Sequence, residues 1–145
     1  MSDIALEAPA SRMLAVQITR HGGPEVLTLA QVPTPQPGPG QVLVRVRASC
    51  INPRDWLLRQ GRYVFRFVLG RFPIIPGSDI AGEVVALGRG VSQWQIGARV
   101  FGMQPINGRM GAYAQYVAIS AAALAAMPDN VSFEQAAAVP CAGLT

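Results

Sequence analysis

The stretch FPIIPGSDIAG at residues 72–82 runs straight into EVVALG at residues 83–88, and together they have the pattern of a turn leading into a strand. Pro76 fixes its own φ angle and lacks a backbone donor, and Gly77 then permits a tight or left-handed bend. A strand entered through such a bend can hold the short polar side chains of Ser78 and Asp79 at the edge of a cleft. We therefore expect a cleft here, with a barrel behind it and loops in front.

The composition is typical of one domain built from many short strands. The chain has 145 residues, of which 50% are hydrophobic and 14% charged, with 15 glycines and 12 prolines. Frequent glycine and proline favour tight turns between short strands over long helices. The net charge of +4 weakly favours an anionic ligand such as a nucleotide phosphate. No basic run is interleaved with aromatic residues, so nucleic acid is not an expected partner.

The cysteines and apolar runs indicate where the protein works. Cys50 and Cys141 lie far apart and make no disulfide framework, which favours a reducing, cytoplasmic location. The N-terminus has no apolar run of signal-peptide length. The most apolar later stretch, residues 117–127, is far shorter than the roughly 20 residues that a membrane span needs. We expect a soluble protein with no membrane partner.

Alternation of apolar and polar residues predicts a series of strands. The first two should pair with each other, and the proline-rich segment 33–40 that follows them should be an extended connector because proline cannot donate to a ladder. The predicted strands cover residues 12–19, 25–32, 41–49, 79–87, 98–102 and 112–119.

Helix signals occur at two places. Asn52 is followed by Pro53 at the first helical position and by Asp55 in the first turn, which predicts a short helix with Asn52 as its N-cap and Gly61 as its stop. SFEQ at residues 132–135 is a capping box that opens a second helix. Strands come first and helices last, without βαβ alternation. The expected fold is mainly β with short helices, a mostly antiparallel and partly open barrel.

Several strings, in order and in register, resemble the medium-chain dehydrogenase/reductase superfamily, in its zinc-independent quinone oxidoreductase branch that includes zeta-crystallin. They span nearly the whole chain. The strings are GGPEVL (22–27), PGPGQVLVRV (37–46), INPRDWLLRQGRY (51–63), PGSDIAGEV (76–84), GAYAQY (111–116) and SFEQAAAVPCAGLT (132–145).

The resemblance implies a GroES-like catalytic domain at residues 12–131, preceded by a flexible tail at residues 1–11. It implies that residues 132–145 begin the helical connection to a Rossmann domain, which this chain is expected to lack. Neither glycine pair, in GPGQVL or in GRGVSQ, completes the G-x-G-x-x-G fingerprint. The resemblance also implies a possible homodimer in the full-length form.

The resemblance also bears on metal binding. Zinc-dependent relatives hold a catalytic zinc with a cysteine, a histidine and a second cysteine, and the motif register puts Asn52, Ser78 and Cys141 at those places. An amide oxygen and a hydroxyl are poor zinc ligands, so no zinc is expected. His21 lies in a predicted turn and is expected to be solvated.

Without a Lewis acid, carbonyl reduction relies on hydrogen bonds that stabilise the oxyanion as hydride arrives from a nicotinamide. The resemblance implies NADP(H) as cofactor, contacted by Asn52 and Thr145, and a quinone, enone or related carbonyl substrate. It implies a catalytic role for Asn52, whose amide can donate to the substrate. It implies that Tyr63 lines the pocket, where its phenol can donate to a quinone oxygen. Leu57 stands where many relatives carry another pocket tyrosine. Asn52 has the alternative role of N-cap, and Tyr63 that of a half-buried loop aromatic.

The neighbouring residues are assigned mainly structural roles. Asp55 and Arg59 are expected on the surface or in helix capping, Ser78 and Asp79 are expected to brace the cleft edge, and Trp56 is expected more in the core than in the pocket. The leading hypothesis is the catalytic domain of an NADPH-dependent reductase. The alternative is a GroES-like binding module without catalytic activity of its own.

Overall fold

The computed structural model describes residues 9–63, 71–104 and 111–144, in which short strands dominate. The strands are β1 (Arg12–Ile18), β2 (Leu27–Pro33), β3 (Gln41–Cys50), β4 (Asp79–Leu87), β5 (Arg99–Met103), β6 (Tyr116–Ser120) and β7 (Leu124–Ala126). The helices are α1 (Pro53–Arg59), α2 (Phe133–Ala137) and α3 (Pro140–Leu144), with 3-10 turns at Pro24–Val26 and Ala121–Ala123. None of the described helices is long and apolar enough to cross a membrane.

The strands form two antiparallel sheets. β1 pairs with β2, and the second sheet has the order β6-β3-β4-β5-β7. Two single bridges, Ala15 with Ala114 and Ile18 with Ile74, tie β1 to the segments that flank the second sheet. Within the described residues the sheets do not close into a complete barrel. The expectation of a mainly β, partly open fold with short helices is confirmed.

The buried apolar residues form three separate clusters. The largest lies under the five-stranded sheet and includes the fully buried Val42, Val44, Ile80 and Val84. A second cluster joins β1 to α1 and consists of Ile18, Val26, Leu58 and Ile74. The third packs α2 against the sheet through Ala81, Met127, Ala136 and Ala137. α2 therefore rests on the sheet that contains the predicted cleft edge, whereas α1 packs against β1 and Ile74.

Two predicted strands begin too early, and one strand of the structure has no predicted counterpart. Residues 25 and 26 are helical because Pro24 opens a 3-10 turn. The strand expected from residue 112 begins only at Tyr116, because the main chain of Ala112 and Tyr113 instead binds the carbonyls of Gly77 and Pro76 at 3.1 and 3.0 Å. β7 was not predicted. The glycines at residues 108 and 111 predict a turn, which lies mostly outside the described residues.

The bend before β4 brings two segments into close contact. Gly77 has φ +91°, the left-handed region that favours glycine, and a Cβ there would overlap the ring of Tyr113. Tyr113 also accepts a main-chain hydrogen bond from Val16 at 2.8 Å. The predicted bend is confirmed, and it holds β1 and Tyr113 against the start of β4.

Candidate functional site

Three segments meet at the predicted cleft edge: the N-terminus of α1, the first residue of β4 and the first turn of α3. Ser78 and Asp79 are fully buried and Asn52 is only 7% exposed. Each segment reaches this point for a local reason, since a proline or glycine bend precedes β4 and a proline opens each helix.

Asn52 is the N-cap of α1, as predicted. Its backbone is extended, with φ −119° and ψ 158°, and its carbonyl accepts the N–H of Asp55 at 2.9 Å. The carboxylate of Asp55 returns the bond by accepting the N–H of Asn52 at 2.8 Å. This exchange leaves the side chain of Asn52 directed between the helix and β4.

The amide group of Asn52 is held by two protein acceptors. Nδ2 donates to Oδ2 of Asp79 at 3.0 Å and, over a longer distance of 3.4 Å, to Oγ of Ser78. A carboxylate can only accept, so the amine edge of the amide must face Asp79. Donation from Asn52 to a substrate oxygen would therefore have to replace the longer contact with Ser78.

Asp79 ties the third segment into the same point. Its Oδ2 also accepts the main-chain N–H of Cys141 at 3.2 Å, and its carbonyl accepts the hydroxyl of Ser49 at 2.7 Å. The carbonyl of Ser78 accepts the N–H of Gln104 at 2.7 Å. The bracing role predicted for Ser78 and Asp79 is confirmed, while the contacts of the Asp79 carboxylate were not foreseen.

Asp55 and Tyr113 form a second buried pair beside the first. Asp55 is 5% exposed, so its capping role is confirmed and its placement on the surface is wrong. The hydroxyl of Tyr113 donates to Oδ2 of Asp55 at 3.1 Å. Burial raises the pKa of Asp55, and the donors from Asn52 and Tyr113 offset part of that rise. Burial, and then the charge of Asp55, raise the pKa of Tyr113, so its phenol stays neutral.

Tyr113 was missed as a member of this network. The alternating pattern placed it on a strand, and no local signal links it to an aspartate 58 residues earlier. The indication in the sequence was its position two residues after Gly111. In the structure, a Cβ added to Gly111 would overlap the carbonyls of Ile75 and Pro76.

The three places that hold zinc ligands in zinc-dependent relatives are neighbours in the structure. The side chains of Asn52 and Ser78 touch, and the main chain of Cys141 binds the carboxylate that Asn52 also binds. Cys50 and Cys141 are both thiols, and burial, followed by the charge of Asp79, raises the pKa of Cys141. In the described ranges no three His, Cys, Asp or Glu side chains form a metal-binding group. Zinc independence stays a prediction.

The other predicted residues lie around this network. Tyr63 is half-buried and packs against the second core cluster. Trp56 is 41% exposed, so the expectation of a core position is wrong; it lines a cavity of about 180 Å³ together with Asp55 and Tyr113. His21 is exposed, with a ring nitrogen 3.1 Å from the carbonyl of Leu58. Thr145 lies outside the described residues.

A larger apolar cavity of about 510 Å³ borders α3. Its walls come from β5, the segment 122–125 and the start of α3, and they include Phe101, Met103, Leu124, Val139 and Pro140. Because α3 also carries Cys141, this cavity lies on the same helix as one member of the buried network. The lining provides apolar surface and no charged side chain.

Known proteins match the chain over most of its length. The family described as "Alcohol dehydrogenase GroES-like domain" matches residues 38–129. The chloroplastic quinone-oxidoreductase QR1 of Triphysaria versicolor is 38% identical over 134 residues, covering 92% of this chain and 40% of that protein. Among solved structures, the quinone oxidoreductase of Coxiella burnetii has a TM-score of 0.88 at 36% identity, over 92% of this chain and 43% of its own.

A mycobacterial protein solved in complex with NADPH has a TM-score of 0.79 at 34% identity, over 91% of this chain and 39% of its own. The chain thus spans about 40% of the length of the curated relatives it matches. Since the family match covers more than half of the chain, and the relatives and the solved structures agree with it, the chain belongs to the alcohol dehydrogenase GroES-like family of oxidoreductases, in the quinone oxidoreductase branch of the medium-chain dehydrogenase/reductase superfamily.

Proposed function

We propose that the protein to which this chain belongs is an NADPH-dependent, zinc-independent reductase that transfers hydride to quinones, enones or related carbonyl compounds. In this proposal the chain supplies one wall of the active site. Relatives named as quinone oxidoreductases, and the NADPH complex of a mycobacterial neighbour, support it. Because the chain spans about 40% of those relatives, the proposal concerns the whole protein.

The chemistry of the buried polar set carries the proposal. Asn52 and Ser78 offer an amide and a hydroxyl where zinc-dependent relatives offer a thiolate and an imidazole. A catalytic zinc is normally held by three nitrogen, sulfur or carboxylate ligands with one open position. The remaining member, Cys141, is a thiol and would supply one sulfur ligand, short of the three that such a site needs. These groups suit hydrogen bonding to a neutral ligand better than coordination of a cation.

The residues present fit one edge of a nicotinamide nucleotide. When bound, NADPH supplies the hydride. Because both amide hydrogens of Asn52 face protein acceptors, its Oδ1 is the atom that we assign to a ribose hydroxyl. Thr145 is the second proposed contact. The oxyanion that forms on reduction needs a neutral donor, and we assign that role to the phenol of Tyr63, with Leu57 making the pocket more apolar than one lined by two tyrosines.

Turnover by the natural protein that contains this chain tests the proposal. We expect oxidation of NADPH with quinones or enones as acceptors, unchanged by EDTA and by added Zn²⁺. Tyr63→Phe should lower kcat about a hundredfold to a thousandfold, the range for loss of one oxyanion donor. Tyr116→Phe is the matched control, since Tyr116 lies in β6 beside Arg45, and it should leave kcat unchanged. Activity that EDTA abolishes contradicts zinc independence.

Binding distinguishes this proposal from the alternative of a module without chemistry. NADPH is titrated into the 145-residue chain, with cofactor fluorescence and tryptophan quenching as readouts. If the natural protein binds NADPH yet oxidises it with none of these acceptors, a binding module is the better description. Saturation in the micromolar range by the chain alone would show that one wall is sufficient for binding.

We also propose a cytoplasmic location, a homodimer in the longer protein, and no nucleic-acid or membrane partner. The absence of long basic runs and the scattered charges support the last point. Cell fractionation and light scattering of the natural protein test these statements directly.

A further inference from the structure

Asp79 links two helices of the site network, since its side chain accepts hydrogen bonds from the N-cap of α1 and from α3. It has no exposed surface, and its carboxylate receives Asn52 from the N-terminus of α1 and Cys141 from the first turn of α3. Its main chain begins β4 and pairs with Cys50 on one side and Met103 on the other. A change at this side chain therefore reaches three elements at once.

The carboxylate determines which edge of the Asn52 amide faces which way. An ionised carboxylate has no hydrogen to donate, so only the amine edge of Asn52 can face it. A neutral amide at position 79 would have to keep its carbonyl where Oδ2 stands, because the main-chain N–H of Cys141 also donates there. The isosteric asparagine would therefore offer a weaker acceptor to both donors and would put an amine at the place of Oδ1.

The bonding of Asp79 is uneven, which argues against a purely structural role. Oδ2 has two donors, at 3.0 and 3.2 Å, whereas Oδ1 is buried and no donor among the described residues reaches it. A buried acceptor without a partner is costly. A side chain with a single acceptor oxygen would accept the same two hydrogen bonds and avoid this cost. Packing alone therefore does not explain an aspartate at this position.

We propose that Asp79 is the positioning residue of this site, fixing the orientation of the Asn52 amide and the start of α3. Through Asn52 it directs Oδ1 toward the bound nucleotide, a role that rests on the proposed function. Asp79 acts through Asn52 and Cys141 and does not itself contact the substrate.

Nuclear magnetic resonance of the 145-residue chain tests the orientation directly. In the wild type, the side-chain amide protons of Asn52 and the main-chain amide of Cys141 should exchange slowly with water. They should also show a mutual nuclear Overhauser effect, because both donate to one oxygen. In Asp79→Asn, we expect both signals to shift and their exchange to accelerate about tenfold or more, the equivalent of one hydrogen bond to a charged group.

Ser49→Ala is the matched control. It removes the 2.7 Å bond to the carbonyl of Asp79 and leaves the carboxylate in place, so the Asn52 signals should keep their shifts and exchange rates. Asn52 signals that do not change in Asp79→Asn would overturn the proposal. Should that variant fail to fold, rapid exchange of the Asn52 amide in the wild type, without the Overhauser effect to Cys141, would overturn it equally.

The NADPH affinity of the natural protein distinguishes a failure of this proposal from a failure of the proposed function. In the natural protein, Asp79→Asn should weaken NADPH binding about tenfold, and Ser49→Ala should not. A reoriented Asn52 with unchanged NADPH affinity would refute the positioning role. If the wild-type natural protein neither binds NADPH nor reduces any quinone or enone, the proposed function fails, and the resonance experiment still decides whether Asp79 orients Asn52.

Discussion

Replacing Tyr113 with phenylalanine tests the buried pairing of its hydroxyl with Asp55. The hydroxyl donates to Oδ2 of Asp55 at 3.1 Å, and Asp55 is 5% exposed. A hydrogen bond to a charged group contributes about 1.5–3 kcal/mol, but Asp55 keeps the main-chain donor of Asn52. We therefore expect the free energy of unfolding of Tyr113→Phe to be about 1–2 kcal/mol below that of the wild type near neutral pH.

The same residue should make stability depend on pH in alkaline solution. Burial and the charge of Asp55 raise the pKa of Tyr113 above its ordinary value of 10.0. Above that pH the unfolded chain loses the phenolic proton while the folded chain keeps it, so stability falls as pH rises. The upper limit is about 1.4 kcal/mol per pH unit. Tyr113 is only half-buried, and solvent screening reduces the effect to roughly half of that limit.

Urea unfolding followed by circular dichroism measures both effects. Tyr113→Phe has no phenolic proton to lose, so the stability gap between it and the wild type should narrow by roughly 0.7 kcal/mol between about pH 8 and about pH 11. Thr28→Ala is the control, because it removes only the exposed 3.2 Å bond to the carbonyl of Gln17, and its gap should stay constant. A Tyr113→Phe gap that is equal at both pH values would refute the reasoning.

Three further changes test the fold around the site, each measured as a free energy of unfolding in urea. Gly82→Ala places a Cβ against the carbonyl of Arg45 in the bulged pairing of β3 with β4 and should cost about 3 kcal/mol of stability. Gly90→Ala, at φ +83° in open space, should cost only about 1–2 kcal/mol, and equal losses in the two variants would contradict this. Ser132→Ala removes the acceptor of the α2 capping box and should cost about 1 kcal/mol; no loss would show that the box is not needed. Ile80→Ala, at a fully buried position, should cost about 2–5 kcal/mol and Ile80→Val about 1; similar losses would mean that the site relaxes around the cavity.

Local signals in the sequence predicted the elements around the site. Asn52 followed by Pro53 identifies a helix start whatever the tertiary context, and the capping box at Ser132 does the same for α2. Strong alternation predicted β3, because one of its faces is buried in the largest core cluster. The family resemblance, carried by strings along the chain, supplied the fold and the oxidoreductase class.

Features that depend on distant partners could not be predicted in this way. Asp55 looks like a surface residue because an aspartate in the first turn of a helix is usually solvated. It is buried beside Tyr113, a residue 58 positions later in the chain that donates to its carboxylate. β6 starts late for a similar reason, since the carbonyls of Pro76 and Gly77 take the hydrogen bonds that a longer strand would make. The periodicity of apolar residues predicts the secondary structure of a segment, but it does not predict which distant residues will pack against that segment.

The network around Asp79 also determines when in folding the site can exist. Asp79 Oδ2 receives donors from residues 27 and 62 positions away, and the Tyr113 to Asp55 bond closes a separation of 58. Each doubling of a closed loop adds only about 0.6 kcal/mol of entropy, but contacts this distant in sequence form slowly. A nascent chain therefore has no complete site until residue 141 has left the ribosome, and protection of the Asn52 amide should be among the last signals to appear during refolding.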